Sequence, residues 1–272
     1  GAITQDDLPE LNKSKFQLLD LEGVLSFEYD TARFAEVGGL RTFKRWLGER
    51  EPVFLAAKAE DLPKGVLLVG VQGGGKSLAA KCVAGSWQLP LFQLDFGQLY
   101  GKYHGESETN LRNALNIAKT MAPCVLWLDE IEKGLSSDKG ESDGGVSRRM
   151  LASLLTWMNE REEHVFIVAT ANDISSLPPE FMRKGRFDEI FFVDLPKDDA
   201  RNTIFSIHLG KRKAPLEQFN LPRLVALSDG FSGAEIEQAI IAASYEAHAR
   251  RASLCQLDIE NAITQTQPLS VV

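Results

Sequence analysis

Cysteine is scarce in this chain. Cys82, Cys124 and Cys255 are its three cysteines in 272 residues, far apart and without metal-ligand spacing. That excludes a disulfide scaffold and a cysteine-ligated zinc module, and it points to a reducing compartment such as the cytoplasm. Long apolar runs are missing too: none approaches the ~20 residues a membrane-spanning helix needs. The opening stretch, GAITQDDLPELNKSK, lacks the apolar core and cleavage site of a signal peptide, so a soluble chain is expected. Positive charge is not in excess. With a formal net charge of −8, nothing in the charge balance draws the chain to a phosphate backbone, and nucleic acid is a disfavoured partner. No internal repeat is visible. A content of 44% apolar and 25% charged residues is that of an ordinary globular protein, long enough for one large or two modest domains.

Glycine, by contrast, is concentrated. Residues 65–81 read GVLLVGVQGGGKSLAAK, and Gly70 to Ser77 match the phosphate-loop spacing of Gly, four residues, Gly-Lys-Ser. Val66 to Val69 is the apolar, β-branched run of a buried parallel strand, and the pattern from Leu78 onward is helical. Gly70, Gly73, Gly74 and Gly75 let backbone N–H groups line a concave nest without a Cβ in the way. An anion is then held at the helix start, where unpaired N–H groups and the helix dipole favour it. Lys76 is placed to reach the β- and γ-phosphates, and the Ser77 hydroxyl to ligate Mg²⁺.

Around this loop, strand and helix patterns alternate. Leu89 to Phe96 alternates as a strand and Gly105 to Ala122 as a helix. Cys124 to Leu128 (CVLWL) is a buried strand that ends in Asp129 and Glu130. Acids at the carboxyl end of such a strand stand where open α/β sheets place ligand-binding groups. Asp129 suits the Mg²⁺ shell and Glu130 the polarisation of an attacking water. A helix over Arg148 to Trp157 follows, then the strand Val165 to Ala171, which delivers Asn172 to the same edge, and a last strand, Glu189 to Val193. The expected fold class is α/β: a phosphate-loop parallel sheet sandwiched by helices, followed by a small all-helical lid. Residues 1–33 are an expected lead-in or the end of a truncated upstream region, 34–196 the nucleotide-binding domain and 197–272 the lid, with Ser232 placed to cap a lid helix.

These motifs together resemble the AAA ATPases that carry the second homology region, over about Phe34 to Glu260. Within that family GVQGGGKS, APCVLWLDEIEK and VATANDISSLPPEFMRKGRFDEIFF are most similar to the Ycf46-like ATPases of plastids and cyanobacteria. An organellar member would reside in the plastid stroma. The resemblance implies ATP and Mg²⁺ as cofactors and a homo-oligomeric, hexameric ring acting on a protein substrate. It also implies roles that the residues alone do not carry. The segment around Val37 and Gly38 packs on the adenine, Leu78 follows the phosphate loop in the binding set, and His208, Gly233 and Ala234 lie near ribose and base. Asn172 positions the water beside Glu130, and Arg183 and Arg186 reach a neighbour's nucleotide. Tyr103 and His104 would belong to a pore loop gripping a polypeptide, and residues 134–147 to a second one.

Three departures stand out. The loop reads GVQGGGKS where the family usually has GPPGTGKT, and no arginine stands in the lid segment GFSGAE (230–235). His104 also replaces the aliphatic residue common in the pore loop. An ATP-operated switch or scaffold that does not thread its partner is the alternative function.

Overall fold

The computed structural model describes residues 25–28, 31, 37–56, 61–99, 106–135 and 145–268, without the side chains of residues 97, 98 and 106. Tyr103, His104, residues 136–144 and the lead-in other than 25–28 and 31 lie outside the described residues. The chain forms two compact units. Of the described residues, one holds those within 42–70 and 77–192 with the strand at 25–28; the other holds 37–41, 71–76 and 193–268.

The first unit is built on a six-stranded sheet of β1 (Leu25–Glu28), β2 (Gly65–Gly70), β3 (Leu91–Asp95), β4 (Cys124–Asp129), β5 (Val165–Ala171) and β6 (Glu189–Val193), in the order β1-β3-β4-β5-β2-β6. The β3–β4, β4–β5 and β5–β2 pairs are parallel, and β1 closes one edge antiparallel to β3. Every residue of β2 and β5 is buried. This is why GVLLVG and VFIVATA read as continuous apolar runs: a parallel strand with helices on both faces has no wet side.

The connections are α1 (Arg41–Ala56), α2 (Lys76–Trp87), α3 (Phe96–Leu99), α4 (Glu106–Thr120), α5 (Ile131–Leu135) and α6 (Val146–Glu160). Alternate strand residues take opposite faces. Leu67, Leu126 and Ile167 join one core with Leu111 and Leu115 of α4 and Met150 and Leu154 of α6. Phe166, next to Ile167, turns the other way and meets Trp46 and Phe54 of α1 and Trp87 of α2, with ring centroids 6.5, 5.7 and 4.6 Å away. Helical spacing predicts α1 only as far as Arg50, yet it continues through Pro52 to Ala56. Burial of Phe54, fully inside this aromatic cluster, outweighs the backbone bond that proline removes.

At the amino-terminal ends of β2 and β5 a buried arginine ties the backbone. Arg161 donates through Nε to Val165 O at 3.1 Å, through Nη1 to Met158 O at 3.0 Å, and through Nη2 to Lys64 O. Burial lowers its pKa to about 10, so it stays charged at neutral pH.

The second unit contains α7 (Asp198–Lys211), α8 (Leu221–Leu227), α9 (Gly233–Ala249) and α10 (Gln256–Gln265), packed around Phe205, Leu224, Ile236, Ile240 and Ile259. Ser232 caps α9: its Oγ accepts from Glu235 N at 3.2 Å, and the Glu235 carboxylate accepts from Ser232 N at 2.7 Å. Two orphan donors of the helix start are thereby satisfied. Among the described residues no helix is long and apolar enough to cross a membrane.

Phe166 is fully buried under three rings, so Phe166→Ala leaves a cavity that the rigid sheet cannot collapse around. The expected loss is about 3–5 kcal/mol in unfolding free energy, measured by urea titration followed by tryptophan fluorescence.

Candidate active site

Parallel pairing puts the carboxyl ends of β2, β5 and β4 at one edge of the sheet. The register pairs Leu128 of β4 with Ala169 of β5, and Leu68 of β2 with Thr170. Asp129 and Thr170, one residue further along their strands than the first pair, therefore stand side by side. Thr170 is fully buried. Its hydroxyl donates to Asp129 Oδ1 at 2.6 Å and accepts from Glu130 N at 3.0 Å.

Glu130 occupies the left-handed region with φ 47°, a conformation that costs a non-glycine residue free energy and is held by its surroundings. The Thr170 bond and a turn in which Lys133 N donates to Glu130 O at 2.9 Å hold it. The Glu130 carboxylate accepts from Asn172 Nδ2 at Oε1, 3.0 Å away, and pairs with Lys133 Nζ through Oε2. Asn172 also donates its backbone N–H and its Nδ2 to Glu132 Oε1, each at 3.0 Å. The structure thus brings together Asp129, Glu130 and Asn172, and it adds Thr170 and Glu132, which the sequence reading missed. The available signals were a lone hydroxyl in VFIVATA and the third acid of DEIE.

The half-buried Asp129 carboxyl titrates above the usual aspartate range. Desolvation is the main cause, the charges of Glu130 and Asp95 act the same way, and the Thr170 hydroxyl opposes them. The exposed Lys133 is raised by its bond to Glu130.

Gly70 ends β2, and the loop after it belongs to the second unit from Val71 to Lys76. Gly73 and Gly75 have φ of 78° and 96°, which L side chains rarely adopt. A Cβ at Gly73 would stand 3.0 Å from Ser232 Cβ, and one at Gly74 3.1 Å from Val193 O. Lys76 is only 7% exposed, and its Nζ donates to Val71 O at 2.8 Å, curling the loop around its own lysine. Ser77 and Leu78 follow on the exposed side of α2.

In the second unit, Val37 is buried, and a Cβ on Gly38 would come within 2.4 Å of Ile204 Cγ1. Gly233 lies against the same side chain, 3.5 Å from Ile204 Cδ1 by the same measure, and the exposed Ala234 follows it in α9. His208 is one turn beyond Ile204 on α7, with Nδ1 3.3 Å from Glu237 Oε1. Burial lowers the His208 pKa. Glu237 opposes this shift, and Lys211 and Arg212 reinforce it.

Arg183 and Arg186 stand elsewhere. Asp188 accepts from the backbone N–H groups of Lys64 and Gly65 at 2.7 and 2.8 Å, and Lys64 Nζ donates to Gly185 O at 2.9 Å. The arginine segment is therefore pinned to the amino end of β2, on the order of 17 Å along the strand from Gly70. Arg183 is exposed. Arg186 keeps one buried guanidinium nitrogen, Nη1, without a hydrogen-bond partner among the described residues.

Gly70 to Ser77 keep the phosphate-loop spacing, and Asp129, Glu130 and Asn172 meet at the carboxyl edge of the parallel sheet. Residues 66–195 match the model of the ATPase family associated with various cellular activities (AAA), and the chain belongs to that family. It is similar to ycf46 of Pyropia yezoensis, described as an uncharacterized AAA domain-containing protein, with 43% identity over 99% of this chain and 56% of that protein. The ycf46 protein of Gracilaria tenuistipitata var. liui is 44% identical over 94% of this chain and 53% of its own length. A cell division cycle protein 48 homolog of Archaeoglobus fulgidus is 35% identical over 84% of this chain and 32% of its own length. The chain thus spans about half the length of the curated ycf46 relatives it matches.

Thr170→Val removes the hydroxyl from both acids while keeping the volume. The expected cost is about 1–3 kcal/mol of unfolding free energy in urea. Because the folded Asp129 carboxyl binds its proton more readily than the unfolded one, its contribution to stability is full at low pH. It is lost as pH rises through the raised folded value. In Thr170→Val that loss moves to still higher pH, read by carboxyl ¹³C titration.

Proposed function

We propose that this chain is a Mg²⁺-dependent ATPase that works as a ring, completes each nucleotide site with a neighbour's arginines, and couples hydrolysis to remodelling of a protein partner. The observation that carries the hydrolytic reading is the contact of Asn172 Nδ2 with Glu130 Oε1 at 3.0 Å, beside an Asp129 anchored by Thr170. The loop residues fit a nucleotide's phosphates. Gly73 and Gly75 take glycine-type conformations, a Cβ at Gly73 or Gly74 would crowd its neighbours at 3.0–3.1 Å, and the buried Lys76 opens a helix.

In this reading Gly70 to Gly75 present backbone N–H groups, Lys76 exchanges Val71 O for phosphate oxygens, and Ser77 with Asp129 hold the metal. When bound there, Mg²⁺ would supply charge neutralisation for the transferred phosphoryl group. Glu130 orients and polarises water, taking its proton as the water oxygen bonds to the γ-phosphorus and the bond from that phosphorus to the β–γ bridging oxygen breaks to release ADP, and Asn172 keeps the carboxylate and the water in register. Val37, Gly38, His208, Gly233 and Ala234 hold the base and ribose, with residues 34–196 serving as the nucleotide-binding domain and 197–272 as the lid.

The trans arrangement draws its support from the latch between Asp188 and the start of β2. Gly185 and Asp188, which flank Arg186, are held at the end of β2 opposite Gly70. A guanidinium offered to a neighbour stabilises charge on the transferred group and is worth on the order of 10³ in rate or more. The partner-gripping role of Tyr103 and His104 rests on the family resemblance.

Glu130→Gln is expected to retain ATP affinity and lose turnover, measured by equilibrium binding beside phosphate release. Wild-type turnover in that variant contradicts the assignment. The double variant Arg183→Ala/Arg186→Ala is expected to lose on the order of 10³-fold. Mixing it with Glu130→Gln chains restores activity only if arginines act across subunits, because the second chain supplies them to the first chain's intact Glu130.

A further inference from the structure

Glu132 makes contacts that none of the roles above uses. It lies in the first turn of α5, two residues past Glu130, and its side chain crosses to the end of β5. There Oε1 accepts from both donors of Asn172, the backbone N–H and Nδ2, each at 3.0 Å. Two donors of one residue converging on one oxygen hold the Asn172 side chain in a single rotamer. An asparagine at a strand end otherwise has three staggered choices. In the selected rotamer the same Nδ2 also points at Glu130 Oε1, 3.0 Å away.

The arrangement is costly. Glu132 Oε2 is buried without a hydrogen-bond partner among the described residues, and two carboxylates share one amide nitrogen. Burying an unmatched carboxylate oxygen works against stability, and the contact to Asn172 is what the residue obtains in return.

We infer that Glu132 is a positioning residue, a clamp on Asn172 that aims its amide at Glu130 and so sets the orientation of the group that polarises water. The inference rests on the hydrolytic reading of Glu130 and Asn172, and it adds a residue to which that reading assigns no part. An acceptor oxygen at this point is the requirement; the negative charge is not. Glu132→Gln, whose carbonyl oxygen accepts the same two bonds, therefore keeps the clamp, and Glu132→Ala abolishes it.

The test uses the full chain and its Glu132→Ala, Glu132→Gln, Asn172→Ala and Glu132→Ala/Asn172→Ala variants. Glu132→Ala is expected to lower kcat by about 10-fold or more, as loss of an orienting partner does, with the Kd for ATP within about two-fold of wild type. Glu132→Gln retains most of the turnover. The double variant is no slower than Asn172→Ala alone, since both changes break one route. Multiplying effects in the double variant, or a Gln variant as slow as the Ala variant, overturns the proposal.

A second readout does not depend on turnover. The side-chain ¹⁵N amide signal of Asn172, assigned by its loss in Asn172→Ala, is expected to exchange with solvent slowly in wild type and Glu132→Gln. In Glu132→Ala it exchanges at least about 10-fold faster. An unchanged exchange rate in Glu132→Ala refutes the clamp whether or not the chain hydrolyses ATP. Absence of turnover in the wild type, with the amide result as expected, refutes the hydrolytic reading and leaves the clamp standing.

Discussion

One hydroxyl holds the acidic edge together. Thr170 is buried in the middle of a parallel sheet, and its oxygen bridges the carboxylate of Asp129 and the backbone of Glu130. Both acids are like-charged and half-buried, a combination that repels and desolvates. The bridge answers each problem at once: it donates to one charge, and it fixes the strained backbone from which the other extends. It works only because β4 and β5 are parallel and in the register that sets these positions abreast. The apolar runs that enforce the register are in this sense part of the site.

Much of the fold was legible in the residues. Val165 to Ala171 and Glu189 to Val193 are strands at the expected bounds. In each case apolar composition and local punctuation act in the same direction. The misreading of α1 arose where they conflict, since Pro52 says stop and the distant aromatic pocket for Phe54 says continue. A tertiary contact of that kind leaves no local trace.

The site divides along the same line. The phosphate loop and the Asp-Glu pair are readable because each is a short contiguous pattern with its own chemistry. Thr170 and Glu132 were not, because their meaning lies in register and side-chain reach across about 40 residues of chain. The close fit of the loop glycines is likewise a property of the folded second unit. Gly73 faces Ser232, the residue that caps α9, so the loop and α9 share a contact that neither segment announces by itself.

The latch at the other end of β2 bears on the proposed sharing of arginines between copies. A single strand carries the start of the phosphate loop at one end and the arginine segment at the other. Contact between the arginine end of one copy and the loop end of the next joins unlike surfaces, and such an interface is heterologous. A two-fold pair cannot be built from a single such contact, because the symmetry of a dimer requires each patch to meet itself. Copies joined this way close into a rotationally symmetric ring when the angle between successive copies divides the circle, and otherwise they climb into a helical filament. Under the proposed function, the hydrogen bonds of Asp188 and Lys64 would thereby favour a ring or a filament over a two-fold pair.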